Sequence, residues 1–216
     1  MKIGIISDVH NNMMGLTRAL EALIDVDEIF CAGDVVYEYS FNNEVFEVIR
    51  SRRIRTVLGN HESRILSRDG IRLRTSGKIK PDNLEYMQNL PITLVTRVNG
   101  KRILMAHGSP WEPLRDYVFP ETGSFKKLGS VNADVVILGH THCPMVERIN
   151  GTLVINPGSC GEARDHRYNL QLTYAILDLD SDEAVIKTME SLDESRSGLI
   201  PLEPETVDTE SEGTSE

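Results

Sequence analysis

Cysteine is scarce in this chain of 216 residues: three occur, Cys31, Cys143 and Cys160, odd in number and without metal-type spacing. That excludes a disulfide-stapled scaffold and a cysteine-rich zinc module, and it fits a reducing, cytoplasmic setting. No apolar run is long enough to span a bilayer, and Met1 to Ser7 reads as a short strand rather than the apolar region of a signal peptide, so no membrane association is expected. A basic stripe is also missing. The formal net charge is −10, and the nearest candidate, Arg50, Arg52, Arg53 and Arg55, reads as a solvated helix end whose cations complement the helix dipole. Stable nucleic-acid binding is therefore not expected. There is no internal repeat, and the oligomeric state is not readable from the sequence.

What the chain has is enough apolar material, 40% of residues, for one sizeable core. A domain of this size buries roughly 70% of its extended-chain surface, so one domain over residues 1–192 and a tail over 193–216 is the economical reading. The tail holds eight acidic residues against one arginine and carries seven of the ten net negative charges. It cannot bury enough apolar surface to offset its ordering entropy and is expected to be disordered.

Histidine is where the chain is specific. Five of six lie in short polar motifs, each after an apolar, strand-like run: Asp8-Val9-His10, Gly59-Asn60-His61, His107-Gly108 and Gly139-His140-Thr141-His142. Gly33-Asp34 closes another such run. Besides His61, this gives two Asp, one Asn and four His at strand ends, the right number and type to hold two divalent ions. Imidazole nitrogens with carboxylate and amide oxygens, and no thiolate, suit Mn²⁺, Fe, Co²⁺, Ni²⁺ or Zn²⁺ in an open, catalytic site. Taken singly the motifs are weak. An Asp-x-His at a strand end is more often a helix cap or turn, and Gly-Asp is ordinary turn chemistry. Gly139-His140-Thr141-His142 is stronger, because two imidazoles two residues apart in an extended segment face one side. His166 belongs to no motif and reads as an exposed loop residue.

Periodicity predicts strands Lys2 to Ser7, Glu28 to Ala32 and Arg55 to Leu58, with helices near Met13 to Ile24 and Asn43 to Ser51. This βαβαβ opening puts the candidate ligands at the carboxyl ends of strands, where open α/β sheets bind ligands. Helical and loop material follows, with Pro81 opening a helix to Asn89. Beyond it come strands Ile92 to Val98 and Arg102 to Ala106 around Asn99-Gly100, a helix near Gly123 to Val131 and strand Asp134 to Leu138. Met145 to Ile149, Leu153 to Asn156, Leu172 to Leu179 and Glu183 to Met189 complete the set. Two mixed sheets packed face to face with helices outside account for this α/β pattern.

The order Asp8-x-His10, Gly33-Asp34, Gly59-Asn60-His61-Glu62, His107, Gly139-His140-x-His142 resembles the calcineurin-like metallophosphoesterases over residues 1 to about 160. Ser7, Gly108-Ser109-Pro110 and Asn156-Pro157-Gly158-Ser159 resemble its small prokaryotic phosphodiesterase branch. The resemblance implies a four-layer αββα sandwich. It implies that Asp8, His10 and His142 hold one metal, that Asn60, His107 and His140 hold the other, and that Asp34 bridges them. Two ions, Mn²⁺ foremost with Fe, Ni²⁺, Co²⁺ or Zn²⁺ as alternatives, would serve a metal-bridging hydroxide as nucleophile. His61 would protonate or stabilise the leaving alkoxide.

The expected activity is hydrolysis of a small phosphodiester or nucleotide. A phosphomonoesterase, including a protein phosphatase, and a dinucleoside polyphosphate hydrolase are the alternatives, and a non-enzymatic scaffold on the same fold ranks lower. The sequence departs from the family pattern twice. Glu62 stands where Asp usually follows the motif histidine, one methylene longer, so its reach toward the His61 imidazole would differ, and the anion that a protonated His61 needs is either Glu62 or the substrate phosphate. Val35-Val36-Tyr37-Glu38-Tyr39-Ser40 replaces glycines and proline after Asp34, so that aromatic bulk either lines a groove or covers the sheet edge. In the loop after His107, Trp111 or Tyr117 would stack on a nucleobase and Arg115 would pair with phosphate, or the loop simply folds onto the domain.

Overall fold

Alternating apolar residues decide which layer each strand serves. In β1 (Lys2–Ile6), Ile3 and Ile5 point into the space between two sheets, while Ile6 points to the helices outside. The computed structural model describes residues 1–189. In chain order β1 is followed by α1 (Met13–Ala22), β2 (Glu28–Cys31), α2 (Asn43–Ser51), β3 (Arg55–Thr56), α3 (Asn60–Leu66), α4 (Ile71–Arg74) and α5 (Pro81–Gln88). Then come β4 (Thr93–Val98), β5 (Lys101–Ala106), α6 (Gly123–Leu128), β6 (Val135–Ile137), β7 (Met145–Ile149), β8 (Thr152–Asn156), β9 (Thr173–Asp178) and β10 (Glu183–Thr188). The expected acidic tail from residue 193 lies outside the described residues.

The strands form two five-stranded mixed sheets, ordered β10-β9-β1-β2-β3 and β4-β5-β6-β8-β7. In the first, β1, β2 and β3 are parallel and β9 runs antiparallel to β1. In the second, β5, β6 and β8 are parallel, with β4 and β7 antiparallel on the edges. Between the sheets Ile3, Ile5 and Phe30 pack with Ile103, Met105 and Ile137, all fully buried. Burying Phe30 alone contributes about 3 kcal/mol. Leu16, Phe46 and Met87 of α1, α2 and α5 cover the outer face of the first sheet, and Phe125 and Leu128 of α6 cover Val136 and Val154 of the second. This is the four-layer αββα sandwich expected.

Local chemistry sets the element boundaries. The Asn12 side chain caps α1 by accepting the Gly15 N–H at 2.8 Å, and Asn42 caps α2 by accepting the Glu44 N–H at 3.0 Å. Both Asn-Gly pairs make tight hairpin turns with positive φ at each residue, 47° and 80° at Asn99-Gly100 and 49° and 89° at Asn150-Gly151. Most strand ends fall within a residue of expectation, but β3 ends at Thr56 rather than Leu58. Val57 still bonds to the Cys31 carbonyl, but the Leu58 N–H turns to Pro91 O at 2.8 Å, which swings the chain out of the ladder and into α3.

Candidate metal centre

Every expected ligand sits just beyond the carboxyl end of a parallel strand, and the two sheets are stitched together there. The Asp8 carboxylate, after β1, accepts the backbone N–H of His140, after β6, at 3.1 Å. His107, after β5, lies with its Nδ1 2.7 Å from the carbonyl of Ala32, after β2. The backbone is bent to suit: Asp8, His10, Asp34, His140 and His142 all have positive φ, between 47° and 68°. Left-handed conformations cost side-chain-bearing residues of order 1–2 kcal/mol each, and five in one place mark a site whose geometry the surrounding fold enforces. Glycine at 59 serves the same end through close approach, since a methyl group there would collide with the Asp34 carboxylate and backbone nitrogen.

Asp8, His10 and His142 converge. Nε2 of His10 and Nε2 of His142 are 3.0 Å apart, and Asp8 Oδ1 is 3.7 and 3.2 Å from them. That buried oxygen has no hydrogen-bond partner among the described residues. His142 Nδ1 donates to the carbonyl of Glu162 at 2.7 Å, which fixes the ring with Nε2 toward Asp8. Burial works to raise the Asp8 pKa, but the two imidazoles outweigh it and hold the carboxyl well below its ordinary value.

Asp34, Asn60, His107 and His140 form the second cluster. Asp34 Oδ2 is 3.1 Å from Nε2 of His107. The head of the Asn60 amide lies 2.8 Å from His140 Nδ1, 2.9 Å from His107 Nε2 and 3.2 Å from Asp34 Oδ2, groups that can all accept when His107 is neutral. Either its NH₂ points at them as a donor, or its oxygen joins them around a cation. The field favours positive charge here: against its own burial, His107 is pushed up to about 10 by Asp34, while burial and charged His107 push His140 down to about 4. Oxygen and nitrogen donors converging where carboxylates attract a cation fit divalent ions of the expected kind. Asp34 also lies in a close group with His10 and His61, so it reaches both clusters.

His61 borders this centre. Its Nε2 is 3.7 Å from Asp34 Oδ2, and its ring centroid is 4.9 Å from that of His10. Burial lowers its pKa, with Asp34 and Glu38 opposing. The carboxylate beside the imidazole is Glu38, whose Oε2 is 3.3 Å from Nδ1. Of the two anions expected to compensate His61, Glu62 does not take that place: it is fully buried and accepts backbone N–H groups of Gly59, Asp34 and Val36 at 2.9, 3.0 and 2.9 Å.

The aromatic segment after Asp34 lines the site. Tyr37 packs 4.7 Å from His10 and 4.9 Å from His61, and its hydroxyl donates to Glu162 at 2.9 Å. In the loop after His107, Tyr117 lies on His140 with centroids 3.9 Å apart and is half exposed, whereas Trp111 faces Lys127. Sequence reasoning missed Glu38 and Glu162, which carry no motif of their own. His166 is exposed, as expected, and the three cysteines form no disulfide.

Comparison with known proteins agrees with this geometry. The profile of the calcineurin-like phosphoesterase superfamily domain matches residues 1–182. A phosphodiesterase of Methanocaldococcus jannaschii is 30% identical over 162 residues, 74% of this chain and 84% of that protein. An uncharacterized protein of the same organism is 30% identical over 192 residues, 76% of this chain and 77% of that one. The crystal structure of a metallophosphoesterase from Sphaerobacter thermophilus superposes with a TM-score of 0.73 at 26% identity, covering 88% of this chain and 89% of that one. The chain belongs to the calcineurin-like phosphoesterase superfamily, and it is a metallophosphoesterase, a hydrolase acting on phosphoric ester bonds. Among the described residues no helix is long and apolar enough to cross a membrane.

Proposed function

We propose that the protein is a dinuclear metal-dependent phosphodiesterase acting on small phosphodiesters or nucleotides. The observation that carries this reading is the position of Asp34, which shares one close group with His107 and His140 and another with His10 and His61, while His10 also meets Asp8 and His142. Asp8, His10 and His142 would hold one ion, Asn60, His107 and His140 the other, and Asp34 both. Mn²⁺ is favoured, and Fe, Co²⁺, Ni²⁺ or Zn²⁺ suit the same donors. When bound, such a pair supplies Lewis acidity toward the phosphoryl oxygens and acidifies the attacking water.

The chain's own groups do the rest. His61 carries the proton for the leaving alkoxide on Nε2, the nitrogen facing Asp34. The Glu38 carboxylate, 3.3 Å from Nδ1, works toward the imidazolium that this role needs, against burial and against the Glu38 backbone N–H that meets the same nitrogen at 3.3 Å. Tyr37 covers the rings of His10 and His61 and limits water around them. The diester preference is supported by the relative named a phosphodiesterase. Free thiols at Cys31, Cys143 and Cys160 accord with a cytoplasmic setting.

The test is hydrolysis of bis(p-nitrophenyl) phosphate beside p-nitrophenyl phosphate by metal-stripped protein resupplied with Mn²⁺, with Asp34→Asn in parallel. Diester turnover that needs metal and falls by more than roughly a hundredfold in the variant is expected. Turnover of the monoester alone would reassign the protein as a phosphomonoesterase, and turnover of neither would overturn the reading.

A further inference from the structure

A cleft of 480 Å³ opens directly from the second cluster. One wall is α3, carrying the candidate ligand Asn60 with Ser63 and Arg64, and the other is the loop after β5, carrying Leu114 and Arg115. This loop is held by its own bonds: the Gly108 N–H meets the Pro113 carbonyl, Glu112 N–H donates to Ser109 Oγ at 3.1 Å, and Asp116 N–H donates to the Glu112 carbonyl at 3.2 Å. Arg115 is thus presented across the cleft by a closed turn rather than by a trailing segment.

The charges along the cleft are not all matched. Arg64 is paired with Glu38 at 3.3 Å and Asp69 at 3.7 Å, and Glu38 is shared with His61. Arg115 makes no side-chain ion pair or hydrogen bond among the described residues. The cleft therefore holds the exposed, unpaired side chain of Arg115 together with Ser63 and the candidate metal ligand Asn60, and its carboxylates, Glu38 and Asp69, are those already paired with Arg64. A guanidinium is planar and binds phosphate through paired N–H donors, which makes it the usual choice where an oxyanion must be held in a fixed orientation.

We propose that this cleft is a second phosphate subsite, with Arg115 as its anchor. On the phosphodiesterase reading, on which this rests, the substrate carries a further phosphate on the half of the molecule that lies along α3. Two sources share that chemistry, a terminal phosphate on a short nucleotide diester and the chain of a dinucleoside polyphosphate. A diester whose second half is uncharged gains nothing from Arg115.

The experiment compares pApA with ApA, which contain the same diester and differ only in the terminal phosphate, alongside diadenosine tetraphosphate and bis(p-nitrophenyl) phosphate. For wild-type protein in Mn²⁺, kcat/KM for pApA or for the tetraphosphate should exceed that for ApA by about tenfold. Arg115→Ala should bring the ratio to within about twofold, and Arg115→Lys should retain part of it. The compound showing the gain identifies the source of the phosphate. Calorimetric binding of pApA and ApA to the Asp34→Asn protein, with and without Arg115→Ala, reads the subsite without turnover. Bis(p-nitrophenyl) phosphate turnover with equal kinetics for all three nucleotides, or a ratio indifferent to Arg115→Ala, would overturn the subsite while the phosphodiesterase reading stands. Arg115-dependent binding of pApA with no turnover of any compound would do the reverse.

Discussion

Glu62 Oε2 accepts the backbone N–H of Asp34 at 3.0 Å, joining two residues 28 apart in sequence across the mouth of the first sheet. The same carboxylate holds Gly59 and Val36, so one buried side chain fixes both the loop that presents Asp34 and the start of the helix that presents Asn60. Burial and the Asp34 charge push its pKa up to about 7, and the backbone donors pull the other way. In Glu62→Gln the amide NH₂ faces backbone donors on at least one side. Above pH 7, where the carboxylate is ionised, a loss of roughly 2–3 kcal/mol is expected, since hydrogen bonds to a charged group are lost in the interior. Urea unfolding reads it directly, and an unchanged midpoint would dismiss the clamp.

His61 should matter in proportion to how poor the leaving group is. His61→Ala is expected to lower kcat on a dinucleotide, whose leaving alkoxide must be protonated, by about 10²–10⁴. The loss should be much smaller on bis(p-nitrophenyl) phosphate, whose nitrophenolate leaves without a proton. Equal losses on both substrates would remove His61 from the acid role and leave it a positioning residue.

Metal should stabilise the fold as well as activate it. Ions held by the described donors bind the folded state alone, so a hundredfold excess over Kd adds about 2.7 kcal/mol. For a chain of this length that raises Tm by roughly 5–10 °C. Thermal melts of stripped protein with and without Mn²⁺, reversed by chelator, measure it. No shift with any divalent ion would count against a preformed metal centre.

Asp182 ties the sheets together at their far edge. It pairs with Lys101 at 2.9 Å and Arg148 at 2.9 Å, which lower its pKa below the ordinary value of 3.8. A depressed carboxylate pKa contributes stability above the unfolded-state value, and that contribution is lost as pH falls through the lower folded-state value. The site is a third exposed, so Asp182→Asn should cost only about 0.5 kcal/mol at pH 7. The difference from wild type should shrink as pH drops below 3.8 and in high salt. A difference independent of both would mean that charge is not its origin.

The sequence alone determined what is local. Asp8, His10, Asp34, Asn60, His107, His140 and His142 each sit in a short polar motif after an apolar run, so the residues the fold gathers were already marked. The hairpins at Asn99-Gly100 and Asn150-Gly151 were legible because only a few residues accept positive φ. What only the tertiary structure decided is which groups meet across elements. His61 and Glu62 are consecutive on α3 and therefore point about 100° apart around the helix. One faces the metal centre, and the other is driven into the core to satisfy backbone donors. The carboxylate beside the imidazole comes instead from Glu38, 23 residues away on a loop, and the guanidinium of the cleft, unpaired among the described residues, from Arg115 on another. Arg115 was marked by its loop after His107, but Glu38 carries no periodic or motif signal, because its meaning lies in the packing of the fold rather than in its neighbours along the chain.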